Sequence, residues 1–173
     1  MLTLILGGAR SGKSALAERL AIDSGREVVY IATAQALDDE MSQRIAHHRA
    51  RRPSAWISIE EPLALAATLR EHARDHRLLL VDCLTLWLSN LLGIGDTQRF
   101  VTERDALFDA LVAAPGDVVL VSNEVGLGIT PLGELTRRFV DEAGRLHQAL
   151  AQRCDRVVFV AAGLPLTLKG PSP

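Results

Sequence analysis

Gly7-Gly8-Ala9-Arg10-Ser11-Gly12-Lys13-Ser14 follows the spacing G-x-x-x-x-G-K-S, and each residue type in it answers a need of phosphate binding. The glycines let the backbone curl so that successive N–H groups point inward at phosphate oxygens. Lys13 is placed to reach the outer phosphates, and the Ser14 hydroxyl to ligate Mg²⁺. The strand-like run Leu2-Thr3-Leu4-Ile5-Leu6 precedes the loop, and a helical run from Ser14 to about Asp23 follows it. That helix adds its positive N-terminal end to the anion site. A bound nucleoside triphosphate is therefore expected, with Ala9 and Ser11 in the loop backbone and Arg10 facing either solvent or a second substrate. The reaction is not fixed by the loop, which kinases, switches and motors share.

Three further groups carry chemistry. Leu78-Leu79-Leu80-Val81-Asp82 is an apolar run ending in an acid, the way a buried strand delivers a carboxylate to the Mg²⁺ beside a phosphate loop. The run Asp38 to Pro53 has its acids first and its bases last, in accord with a helix dipole. Arg44, His47 and Arg51 share one face of such a helix. Two readings stay open there: a solvated helix, or a neutral imidazole that attacks phosphorus while Arg44, Arg49, Arg51 and Arg52 depress its pKa and bind phosphate oxygens. Ser122-Asn123-Glu124-Val125-Gly126 follows the apolar run Val118–Val121, which places Asn123 and Glu124 either at a ligand edge or in a structural turn. Glu124 and Asp82 are both candidates for accepting a proton from an acceptor hydroxyl.

The elements that must position these groups alternate along the chain. Strands are expected at 2–6, 27–33, 55–60, 78–82, 117–122 and 156–162, and helices at about 14–24, 38–51, 62–75, 84–92, 98–113 and 131–153. Several strands are near-continuous apolar runs, the mark of parallel strands covered on both faces. The expected fold is a single α/β domain over residues 1–173, with a mostly parallel sheet, helices on both faces and Leu166-Thr167-Leu168 as a short edge strand. Ligands in such sheets bind beyond the carboxyl ends of the strands.

Composition agrees. The 173 residues are long enough to bury about two-thirds of the unfolded surface. A formal net charge of −2 gives no general attraction to nucleic acid or anionic membrane. The apolar stretch Leu78 to Gly95 is interrupted by Asp82, Ser89 and Asn90, which suits a buried strand and helix better than a membrane span. Cys83 and Cys154 lie too far apart for a metal motif and are expected in the core. With the first strand starting at residue 2 there is no room for a signal peptide, and a cytoplasmic setting is expected.

Taken in order, Gly7–Ser14, Tyr30-Ile31-Ala32-Thr33, Leu37-Asp38-Asp39-Glu40-Met41, Arg44-Ile45-Ala46-His47-His48-Arg49, Arg52-Pro53, Asn123-Glu124-Val125-Gly126 and Ala143-Gly144-Arg145 closely resemble the bifunctional adenosylcobinamide kinase / adenosylcobinamide-phosphate guanylyltransferase family of cobalamin biosynthesis. The resemblance covers nearly the whole chain. It implies two reactions: phosphorylation of the aminopropanol hydroxyl of adenosylcobinamide with ATP or GTP, then transfer of GMP from GTP through a histidine to the cobinamide phosphate. By position the guanylylated histidine is His47. The resemblance implies nucleotide contacts at residues 7–14, at Thr33, Ala34 and Gln35, at His48, Arg49, Ala50 and Arg51, and at Glu60 and Asp82. It also implies a homotrimer with subunit contacts near the nucleotide. Some relatives carry Glu where this strand ends in Asp82, so metal geometry or purine contact can differ here.

Overall fold

A computed structural model of the chain describes residues 1–35 and 53–173. The helix expected at 38–51, with His47, His48, Arg49, Ala50 and Arg51, lies outside the described residues.

Seven strands form one sheet: β1 (Leu2–Gly7), β2 (Glu27–Ala32), β3 (Ile57–Glu60), β4 (Arg77–Asp82), β5 (Asp117–Asn123), β6 (Arg156–Ala161) and β7 (Leu164–Lys169). Their spatial order is β3-β2-β4-β5-β1-β6-β7. All neighbouring pairs are parallel except β6 and β7, as the apolar runs and the C-terminal edge strand led one to expect. Every side chain of β1 is buried, because a central parallel strand is covered on both faces.

The period-two alternation of the strands sorts their side chains into two cores. On one face Ile5, Val28, Tyr30, Leu78, Leu80, Val119 and Val121 pack against Leu16, Ala17 and Ala21 of helix α1 (Lys13–Asp23). On the other face Leu4, Leu6, Val29, Ile31, Leu79, Val81, Val118 and Leu120 meet helices α2 (Leu65–His72), α3 (Leu84–Ile94), α4 (Thr97–Ala113) and α5 (Glu134–Arg153).

The stretch from Leu78 to Gly95 resolves into β4 and α3. In α3, Leu84, Thr85, Trp87, Leu88, Leu91 and Leu92 are buried, a helical stripe wide enough to face the core. The helix ends at Gly95 with φ 78°, a conformation that glycine adopts without a Cβ penalty. Among the described residues no helix is long and apolar enough to cross a membrane. Cys83 and Cys154 are both buried, free thiols.

Two helices are shorter than their sequence periodicity suggests. Glu61 accepts hydrogen bonds from the N–H groups of Leu63 (2.9 Å) and Ala64 (2.7 Å), so the chain turns there and α2 starts only at Leu65. Pro131-Leu132-Gly133 likewise delays the start of α5 to Glu134. At the start of α4 the Asp96 side chain accepts from the Arg99 N–H at 3.0 Å and caps the helix. Asp96→Ala is expected to cost about 1 kcal/mol in urea unfolding, while Asp96→Asn keeps most of the stability.

Candidate nucleotide and acceptor site

The parallel strands bring the C-terminal ends of β1, β2, β4, β5 and β6 to one edge of the sheet, and the residues singled out in the sequence gather there unevenly. Gly7 ends β1 and Lys13 opens α1, with Gly8 to Gly12 arching between them. Gly7 has φ 152°, and a Cβ built on it would stand 2.3 Å from the Val160 carbonyl oxygen of β6. Gly12 has φ 103°, and Arg10, exposed, has φ 55°. The loop closes around its own lysine: Lys13 Nζ donates to the Gly8 carbonyl at 2.6 Å, with the residue only 6% exposed. Burial lowers the Lys13 pKa from its ordinary value, with neighbouring Cys83 and Asp82 acting against that shift. Ser11 Oγ is buried without a hydrogen-bond partner among the described residues. An unsatisfied donor and a desolvated ammonium inside a glycine arch at a helix N-terminus fit a polyphosphate.

The β6–β7 turn completes the loop's surroundings. Ala162 and Gly163, with φ 51° and 79°, form this tight turn, and the Gly163 N–H donates to the Ser11 carbonyl at 2.8 Å. A Cβ on Gly12 would lie 3.2 Å from Gly163 Cα. This support was not read from the sequence. Its one local signal is the Ala-Gly pair between two apolar runs.

Asp82 ends β4, half-buried, with Oδ2 accepting from the Tyr30 hydroxyl at 3.1 Å and its charge felt at Lys13. Thr33 follows β2 and is fully buried. Its hydroxyl accepts from the Cys83 N–H (3.0 Å) and donates to the Cys83 carbonyl (2.7 Å), while Asn90 Nδ2 donates to the Thr33 carbonyl at 2.8 Å. Thr33 thus pins the ends of β2 and β4 together. Ala34, half-buried, and Gln35, exposed, continue from it along the same edge. Glu60 ends the outermost strand β3 and is exposed, two strands further out than Asp82.

Strand β5 lies between β1 and β4, so its end separates the loop from Asp82. The Asn123 N–H and Nδ2 both donate to Thr85 Oγ1 at 3.1 Å. The Glu124 N–H donates to the Gly7 carbonyl at 2.9 Å. Behind them, Ser122 Oγ and His147 Nε2 are 2.7 Å apart in the core, and His147 Nδ1 stands 3.6 Å from Glu124 Oε2. Burial lowers the His147 pKa, with Glu124 opposing it. The sequence signal for His147 was a lone imidazole among Ala143, Leu146 and Leu150 on the buried face of α5.

Two clefts, of 260 and 390 Å³, open at the opposite end of the sheet, lined in part by Met1 and Gly116 and by Thr3, Arg26, Asp117 and Arg156. The ion pairs Met1–Asp117 (2.6 Å) and Arg26–Asp117 (2.8 Å) occupy that end. The phosphate-binding chemistry is at the other one.

A glycine arch joining a buried parallel strand to a helix, with an acidic strand end beside it, defines a nucleoside-triphosphate-binding protein of the P-loop class. The same fold occurs in the RadB recombinase (20% identity, 91% of this chain and 73% of that one, TM-score 0.54) and in the Pyrococcus horikoshii protein PH0250 (9% identity, 99% and 87%, TM-score 0.60). Residues 3–168 match the family model of cobinamide kinase / cobinamide phosphate guanyltransferase. The chain is 67% identical over 170 residues to the bifunctional adenosylcobalamin biosynthesis protein CobP of Pseudomonas aeruginosa, covering 98% of each. It is 41% identical over 182 residues to the Escherichia coli bifunctional adenosylcobalamin biosynthesis protein CobU, covering 98% of this chain and 100% of that one. The chain belongs to the cobinamide kinase / cobinamide phosphate guanyltransferase family, and it is a kinase and nucleotidyltransferase of cobalamin biosynthesis.

Proposed function

We propose that this single-domain, cytoplasmic enzyme phosphorylates the aminopropanol hydroxyl of adenosylcobinamide with ATP or GTP. It then moves GMP from GTP to His47, releasing pyrophosphate, and from His47 to adenosylcobinamide phosphate, giving adenosyl-GDP-cobinamide. The observation that carries this is the family match across residues 3–168, supported by the glycine arch at the N-terminus of α1. The loop residues Gly7 to Ser14 grip the β- and γ-phosphates, where pyrophosphate must sit as leaving group. Lys13 stabilises the charge that grows on them. Nucleotide contacts extend to Thr33, Ala34, Gln35, Glu60 and Asp82, and to His48, Arg49, Ala50 and Arg51.

Ser14 and Asp82 are the groups that would hold Mg²⁺. A hydroxyl and one carboxylate suit a hard cation that completes its shell with phosphate oxygens and water. When bound, the ion neutralises charge developing on the phosphates. The enzyme acts as a homotrimer. Leu127, Ile129 and Leu132, almost fully exposed in the loop after Glu124, offer apolar surface beside the site for such an assembly.

The test uses GTP labelled at the α- or the γ-phosphate, with Mg²⁺ and no corrinoid. An acid-labile, alkali-stable protein adduct carrying only the α-label, absent from His47→Ala, is the expected result. Absence of any adduct on folded, GTP-binding protein would remove His47 as nucleophile and leave a plain kinase.

A further inference from the structure

Ser122, His147 and Glu124 line up as hydroxyl, imidazole and carboxylate, yet the hydroxyl cannot be a nucleophile. Ser122 is 0% exposed, on a strand in the middle of the sheet. The end of the row that reaches solvent is the carboxylate, whose side chain is 22% exposed. The row therefore runs from the core to the sheet edge where β1 ends and the phosphate loop begins.

We propose that Glu124 accepts the proton of the cobinamide hydroxyl during the kinase step, and that His147, fixed by Ser122, is the positioning residue that holds its carboxylate. This rests on the two-reaction reading above. Glu124 is tied to the loop by its own backbone, whose N–H donates to the Gly7 carbonyl at 2.9 Å. One carboxylate oxygen, Oε1, accepts from the Gly126 N–H at 2.6 Å. The other, Oε2, stands 3.6 Å from His147 Nδ1, an electrostatic contact just beyond hydrogen-bond range. A carboxylate only accepts hydrogen bonds, so the tautomer that supports it carries its proton on Nδ1. In that tautomer Nε2 accepts from the Ser122 hydroxyl, 2.7 Å away. Each member of the row fixes the orientation of the next.

Asp82 is the weaker candidate for this role. It is one of the two groups that would hold Mg²⁺, and a carboxylate committed to a cation is a poor proton acceptor. In the step itself the acceptor O–H bond breaks and its proton passes to Glu124. The oxygen bonds to the γ-phosphorus as the bond from that phosphorus to the β–γ bridging oxygen breaks. Nucleoside diphosphate leaves, and Glu124 returns the proton to solvent. The guanylyl steps need no such base, because their nucleophiles are a neutral imidazole and an ionised phosphate.

That difference gives the test. Phosphorylation of adenosylcobinamide from γ-labelled ATP and adduct formation from α-labelled GTP are measured on wild type, Glu124→Gln, His147→Leu and His147→Asn. Glu124→Gln is expected to lower kcat for phosphorylation by about 10²–10⁴-fold, with KM unchanged and the adduct formed as in wild type. His147→Leu is expected to lower the same kcat by about tenfold with little change in KM, and His147→Asn, which keeps a donor near Nδ1, to recover most of it. Phosphorylation by Glu124→Gln within threefold of wild type overturns the proposal, as does equal loss of both reactions, which would make Glu124 a nucleotide-binding group. Equal defects in His147→Leu and His147→Asn overturn the positioning role. Wild-type protein that forms the adduct but phosphorylates no cobinamide would instead refute the two-reaction reading.

Discussion

Lys13→Ala is expected to lower phosphoryl transfer and guanylyl transfer together, each by about 10³-fold, the scale of removing a preorganised charge from a transition state. The side chain is held where both reactions need it, threaded inside the glycine arch with Nζ on the Gly8 carbonyl. The residue is only 6% exposed, so its charge acts on the phosphates at a lower effective dielectric than in bulk water. Phosphates entering the arch would take the place of the Gly8 carbonyl as partner of Nζ. Thermal unfolding of the variant should stay within a few degrees of wild type, since the lost interaction is one hydrogen bond to a desolvated cation. Arginine should not rescue the activity, because a planar fork does not fit a space closed around a compact ammonium. Loss of one activity with the other kept within tenfold would show that the two reactions use different phosphate positions.

Gly7→Ala should be the most damaging single methyl group in the site. The added Cβ would sit 2.3 Å from the Val160 carbonyl and 2.8 Å from Ser11 Oγ, on a backbone at φ 152°. The nearer obstacle is main chain of a paired strand and cannot swing away. Overpacking and the disfavoured backbone together are expected to cost about 3–5 kcal/mol, a large part of the 5–15 kcal/mol that holds a typical domain folded. Urea unfolding followed by circular dichroism measures it. Gly8→Ala is the control: a Cβ there meets nothing within 4 Å, and its φ is ordinary. It should change stability by less than about 1 kcal/mol. Equal effects at the two glycines would mean that the loop sits differently against β6.

That contrast marks how far the residues could be read without coordinates. Gly7 and Gly8 are adjacent and equivalent as letters; only the pairing of β1 with β6 separates them. The phosphate loop was legible because its parts are contiguous and each has a chemical reason to be there. Asp82 was legible because an apolar run ends on it. The row Ser122–His147–Glu124 was not, because its members come from a strand end and a distant helix, and a histidine on an apolar helical face looks like an ordinary core residue. The resemblance implies a nucleotide contact at Thr33, and the structure adds that its hydroxyl is bonded to the Cys83 backbone. Alternation of strands and helices gave the α/β class, and Leu166-Thr167-Leu168 in the tail gave the edge strand. The insertion of β5 between β1 and β4 depends on how the crossover helices pack, which local periodicity does not encode.

The phosphate loop is made early in the chain, but its walls are made late. Gly7 is flanked by Val160, and the Ser11 carbonyl is held by the N–H of Gly163. Synthesis runs from the N-terminus at about 5–20 residues per second. Until residues 156–169 have been made, the loop exists without the strand and turn that shape it. A nascent chain therefore carries the nucleotide-binding letters well before the finished binding surface, and full stabilisation by nucleotide waits for the β6–β7 hairpin to leave the ribosome.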